Sequence, residues 1–258
     1  MEHPFDLSGK TALVTGSGRN IGRAIALEFA GLGANIVLNA RSNVAEAEAV
    51  RAEVEAKGAK AIIVYGDMLE KATVEALKKA ADSAFGRVDI YVSNAARRLR
   101  KDFFETTDED WHKHLNMQLT ASWYLAKAFV PGMRDAGWGR IIHVNGPDGW
   151  RGGPTRIPHS TAKGGLRTLT KSLASSLGQY GITVNDIVPT HTSTIRDMTT
   201  HPQHGDPEWV AQKIKEMPIG RMTTPEELAW AAAFLCAKRS AAINGIALHV
   251  DGGNYMYG

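Results

Sequence analysis

Three glycines, Gly16, Gly18 and Gly22, lie in TALVTGSGRNIGRAIALEFA, where a short β-branched run gives way to an amphipathic stretch. Glycine lets backbone approach a phosphate closely, and a helix starting near Asn20 would aim free N–H groups and the positive end of its dipole at the same spot. The chemistry this permits is capture of a pyrophosphate. Position 21 is Ile, which departs from the usual dinucleotide spacing, so a plain strand-to-helix turn competes while the motif stands alone. Elsewhere Arg97 and Arg98, then Asn145, Asp148, Arg151 and Arg156, then His191 bring several cations and few carboxylates, a balance that suits a carboxylate, phosphate or sulfonate on a substrate. His201 and His204 in THPQHGD have no Cys or acidic partner at a ligating interval, so no metal is expected. The lone Cys236, in AAAFLCAKRS, reads as a small buried hydrophobe rather than a nucleophile.

These groups need a scaffold, and the alternation of elements supplies one. TALVT, NIVLN, AIIVY, VDIYVS, RIIHVN, ITVNDIVP and IALHV read as seven strands. Helical composition fills the intervals near 20–32, 44–57, 71–84, 108–130, 160–179 and 225–237. Alternating strands and helices predict βαβ units with right-handed crossovers, hence a doubly wound parallel α/β sheet covered on both faces. At 258 residues the chain suits one such domain spanning 1–258. The stretch from Thr190 to about Met217, with Pro202, Pro207 and the following Pro218, reads as a long loop. It follows a strand's carboxyl end, the side on which open α/β sheets bind ligands, so it is expected to cover a substrate. A hydrophobic fraction of 43% excludes a disordered chain, and a net charge of +3 without basic tracts argues against nucleic-acid or membrane-surface partners. MEHPFDLSGK lacks the features of a signal peptide and no run is long enough to span a bilayer, so the cytoplasm is the expected location.

TGSGRNIG, SNAA after the fourth strand, an Asn in the following helix, a lysine four residues after position 159 and a terminal VDGG occur in order along essentially the whole chain. In this it resembles the short-chain dehydrogenase/reductase family. The resemblance implies a Rossmann-like fold and binding of NAD(H) or NADP(H). It assigns Thr15, Gly16, Gly18 and Gly22 to the cofactor turn, with Ile21 toward the pyrophosphate or nicotinamide. Asn20 replaces the usual glycine there, a change Asn can accommodate because it tolerates left-handed backbone. Asp67 matches the acid facing adenine, with Met68 beside it, and Asn94 and Ala95 match the element against the adenosine ribose. Pro189 falls beside the nicotinamide and Thr194 on its carboxamide. The second strand ends in Asn39, Ala40 and Arg41 with no carboxylate to accept a ribose 2′-OH, while Arg19 and Arg41 can converge on a 2′-phosphate. NADP(H) is therefore the expected cofactor.

The catalytic pattern of the family is only partly present. By the resemblance Asn116 and Lys163 are in place, but the tyrosine position holds His159 and the serine position holds Gly146. An ammonium nearby disfavours a second positive charge, so His159 is expected to be neutral at pH 7, a better base than acid. Such a site suits alcohol oxidation or C–H deprotonation. A histidine also reaches roughly 2 Å less far than a phenol, and a misplacement of that size is costly in rate. Gly146 leaves room for a bulkier substrate, for which Arg97, Asp148, Arg151 and His191 are candidate contacts.

Three functions are consistent with these residues: an NADP(H)-dependent oxidoreductase acting on a polar or anionic small molecule; a lyase, isomerase or hydrolytic enzyme on the same scaffold with His159 as acid/base; or an NADP-binding protein without turnover. The resemblance further implies a homo-oligomer, tetramer or dimer, built through helices near 108–130 and 160–179 and the C-terminal segment.

Overall fold

The computed structural model describes residues 4–97, 100–195 and 205–256. Seven strands, β1 (Thr11–Val14), β2 (Asn35–Ala40), β3 (Ala61–Tyr65), β4 (Ile90–Ser93), β5 (Gly139–Val144), β6 (Ile182–Pro189) and β7 (Ala247–Val250), form one sheet in the order β3-β2-β1-β4-β5-β6-β7. Every pairing is parallel. Successive side chains of a strand point to opposite faces, and here both faces are covered. Ala12 and Val14 enter one core with Ile36 and Leu38, whereas Leu13 and Val37 enter the other. That double burial explains why the strands are apolar runs rather than alternations.

Helices α1 (Asn20–Gly31), α2 (Val44–Ala56) and α9 (Pro225–Cys236) supply the first core. The second takes α3 (Lys71–Phe85), α5 (Ala121–Asp135) and α7 (Ile157–Leu177). Cys236 is fully buried in the first core, and burial pushes its thiol up to about 12, as befits an inert side chain.

Three features depart from the sequence expectation. The helix near 108–130 is α4 (Asp108–Leu115), a π-turn over Asn116–Thr120, and then α5, which runs through Pro131. A four-residue helix, α6 (Asp148–Arg151), fills the interval after β5. The stretch 190–217, expected to be irregular, contains α8 (Pro207–Lys215). Pro207 sits at the first helical position, where a missing N–H costs nothing, and Asp206 caps the helix by accepting from the Glu208 N–H. His201, His204 and Arg98 lie outside the described residues. No helix among the described residues is long and apolar enough to cross a membrane.

The chain leaves β1 toward β2 and β3 on one side and crosses to β4 on the other. A crevice therefore opens between β1 and β4 at the carboxyl ends of the strands, the position where such sheets hold ligands.

Candidate functional site

The glycine turn is held by its own geometry. Gly16 is left-handed at φ +62°, and a Cβ on it would come within 3.2 Å of Ala95 Cα. At Gly22 a Cβ would lie 2.3 Å from the Gly16 carbonyl oxygen, so only glycine lets α1 seat this close to the turn. Asn20 adopts φ +53°, the left-handed backbone its side chain was expected to tolerate. Thr15 Oγ1 accepts from the N–H groups of Asn94 (2.9 Å) and Ala95 (3.0 Å). Asn94 Nδ2 donates in return to the carbonyls of Thr15 (2.9 Å) and Gly16 (3.1 Å). The β1 turn and the end of β4 are thereby fastened into one wall.

That wall bounds a groove of about 600 Å³. Of the residues assigned to the cofactor, Gly16, Gly18, Arg19, Asn20, Ile21, Gly22, Arg41, Asp67, Met68, Asn94, Ala95 and Thr194 line it, while Lys163 and Pro189 do not. The free space over backbone glycines and the cations Arg19 and Arg41 fit a phosphorylated dinucleotide. Glu46, which the sequence reading did not consider, also lines the groove and lies 3.9 Å from Arg19. Arg97, assigned to the substrate, instead pairs with Asp67 at 3.0 Å within this groove. Asn20 further clasps the segment after β6: its Nδ2 donates to the Ile195 carbonyl (3.0 Å) and its Oδ1 accepts the Ile195 N–H (2.8 Å).

Beyond the groove, α7 carries His159 and Lys163, both buried. Lys163 Nζ donates to the Val144 carbonyl at 2.7 Å, which ties α7 to the end of β5. The His159 ring lies between Gln118 and Asp148, with Nδ1 3.1 Å from Gln118 Nε2 and Nε2 3.6 Å from Asp148 Oδ2. With the amide oriented as it stands, Gln118 donates to Nδ1, which leaves the ring proton on Nε2 facing the carboxylate. Burial opposes ionisation of Asp148, but the hydrogen bond and charge of Arg156, with the charges of His159 and Arg151, outweigh it and hold its pKa below the usual range. The sequence reading weighed a nearby ammonium against His159 and did not place the Asp148 carboxylate on the other side of the ring.

Asn116 lies apart from His159: it is exposed, and among the described residues its side chain accepts a 3.2 Å hydrogen bond from Thr120 Oγ1 within its own π-turn. The buried amide beside position 159 is Gln118. Gly146 follows the fully paired Asn145, and a Cβ built on it meets nothing within 4 Å, so the missing side chain leaves open space.

The cations gather around Asp148. Arg156 Nη1 lies 2.6 Å from Oδ2 and Arg151 Nε 3.4 Å from Oδ1, with Arg151 also donating to Tyr255 Oη at 2.5 Å. Arg100, which the sequence reading passed over, belongs to the same group: burial and then the charge of Arg156 lower its pKa. A backbone bond from Lys101 N to the Thr155 carbonyl at 3.0 Å brings the two segments together. His191 faces Glu216 at 3.4 Å, and its pKa is lowered by burial and by Lys213, with a smaller contribution from Arg151.

Known proteins match this chain over nearly its whole length. The family profile described as enoyl-(acyl carrier protein) reductase matches residues 16–254. The 3-oxoacyl-(acyl-carrier-protein) reductase FabG of Haemophilus influenzae is 35% identical over 250 residues, covering 97% of this chain and 100% of that protein. The gluconate 5-dehydrogenase of Gluconobacter oxydans is 32% identical over 255 residues, covering 98% of each. Among solved structures, a gluconate 5-dehydrogenase from Burkholderia cenocepacia in complex with NADP and tartrate superposes with a TM-score of 0.87 at 32% identity, over 97% of both chains.

Proposed function

The chain belongs to the short-chain dehydrogenase/reductase family, and from that premise we propose that it is an NADP(H)-dependent oxidoreductase of a polar or anionic small molecule, with an altered catalytic set. The observation that carries this reading is the groove itself. The Thr15–Asn94 clasp, the glycine backbone and the Arg19 and Arg41 guanidinium groups meet in one concave site at the switch point of the sheet. When bound there, the nicotinamide supplies hydride transfer. Arg19 and Arg41 would hold a 2′-phosphate. Lys163 would bind the ribose after releasing the Val144 carbonyl. In oxidation His159 would take the proton of the substrate's hydroxyl, the hydride passing to the oxidised nicotinamide. The cationic rim of Arg100, Arg151 and Arg156, compensated within the rim by Asp148, attracts an anionic substrate. Relatives named for gluconate, a polyhydroxy acid, agree with that charge.

One observation favours a second reading, binding without turnover. The ring of His159 is 4% exposed, and Gln118 already occupies the nitrogen that would otherwise accept a proton. Catalysis requires the ring to release Gln118 and turn toward the groove. Stopped-flow absorbance at 340 nm with NADP⁺ and a panel of sugar acids and 2-hydroxy acids separates the two. The oxidoreductase reading expects NADPH formation with at least one member and a loss of about a hundredfold or more in His159→Ala, the usual worth of a general base. In the same assay Asn116→Ala leaves the rate within about twofold, because its side chain bonds within its own turn. Silence across the panel from protein that still binds NADP⁺ establishes the second reading.

A further inference from the structure

We infer that Glu46 is a specificity-determining residue that opposes NADP(H) and admits NAD(H), so that the protein accepts both dinucleotides; this rests on the cofactor reading above. A carboxylate that selects NAD is sought at the end of β2, and there Asn39, Ala40 and Arg41 offer none. The structure supplies one from a different element. Asn43 caps α2 by accepting from the Glu46 N–H at 3.2 Å, which places Glu46 in the first helical turn. From there its side chain lies over the central glycine of the turn: a Cβ on Gly18 would be 3.6 Å from Glu46 Cβ and 3.7 Å from its Oε2. Glu46 Oε1 stands 3.9 Å from Arg19 Nη1, and both residues line the groove with Arg41.

The charge balance follows from these positions. In the groove Asp67 is matched by Arg97. That leaves Arg19 and Arg41 against Glu46, one positive charge in excess. A 2′-phosphate is a dianion, so Glu46 both repels it and withholds part of Arg19 from it. A 2′-hydroxyl is neutral and needs an acceptor, and the same carboxylate is the acidic group within the set.

Isothermal titration of the protein with NADP⁺ and, separately, NAD⁺, with no substrate present, tests this without reference to turnover. Glu46→Gln leaves the α2 cap intact, because Asn43 bonds to backbone at that position. The variant is expected to bind NADP⁺ about fivefold tighter and NAD⁺ about threefold weaker, shifting the selectivity ratio by more than about tenfold. Affinities unchanged within twofold, or moving together in one direction, overturn the role of Glu46 while leaving the dinucleotide reading in place. Failure of the unaltered protein to bind either dinucleotide overturns that reading and this inference with it.

Discussion

At the adenosine end of the groove the residues that the family resemblance assigns meet in one concave wall, whereas at the β5–α7 end, on the function proposed above, Gln118, Gly146 and His159 stand beside Lys163 in the proton-handling positions. Asn20 stands where the resemblance expects glycine, yet the turn closes, because its job is done by backbone shape and by the Thr15–Asn94 bonds. A left-handed residue at position 20 is what matters, and Asn supplies it. On the proposed reading the other end works through side-chain tips, and there Gln118, Gly146 and His159 decide which atoms are present and how far they reach. Binding by backbone tolerates exchange of residues; proton transfer by side chains does not. The contrast can be tested from either end.

The largest effect should come from converting the altered end. Gly146→Ser, His159→Tyr and Gln118→Asn together are expected to raise NADPH-dependent reduction of simple ketones about 10²- to 10⁴-fold, the usual worth of general acid–base catalysis. The open space around Gly146 accepts the added Cβ, and Gln118→Asn shortens the side chain that now holds the ring of His159. Steady-state rates at 340 nm decide it. A triple variant that binds NADPH as well as the parent and remains inert would show that the two ends differ by more than these side chains.

How far the sequence could have foreseen this divides along the same line. The seven strands, their order of appearance and the glycine turn were legible because apolar runs and punctuating glycines are local signals. Asn116 was misread for a local reason as well. Residues two apart on a helix face about 200° away from one another, so choosing between 116 and 118 requires knowing which face meets α7, and the π-turn shifts that face. Glu46 was missed because the search for an acid stopped at the end of β2, and the first turn of the next helix reaches the same place only in three dimensions. The pairing of Arg97 with Asp67 and of Asp148 with His159 joins residues 30 and 11 positions apart, which no periodicity reports.

An intermediate effect is expected at Asp148, which holds the altered end together. Asp148→Asn leaves Arg156 and Arg151 without their carboxylate beside a buried ring, and should cost about 1–3 kcal/mol at pH 7 by urea unfolding. The pH dependence has a definite sign. The folded pKa of Asp148 is lowered, so its stabilisation is complete above the unfolded value near 4 and fades as pH falls through the lower folded value. The gap between parent and variant must therefore narrow below about pH 4. A gap that stays constant from pH 7 into that range would mean that the ionised carboxylate contributes nothing beyond its shape.

The smallest effect should lie at the conserved-looking end, and it asks why the turn carries Asn rather than glycine at all. Asn20→Gly keeps the left-handed backbone without strain but removes both hydrogen bonds to Ile195. Asn20→Ala removes the same bonds and adds the cost of holding φ +53° without a side chain suited to it. If the clasp matters, both variants release NADP⁺ faster by about fivefold, as for loss of roughly 1 kcal/mol of partly exposed hydrogen bonding, and only the alanine variant also loses thermal stability. Stopped-flow displacement measures the first and calorimetry the second. Should the glycine variant release the cofactor at the parental rate, Asn20 serves the backbone alone, and the adenosine end is then held by main-chain shape at every position tested.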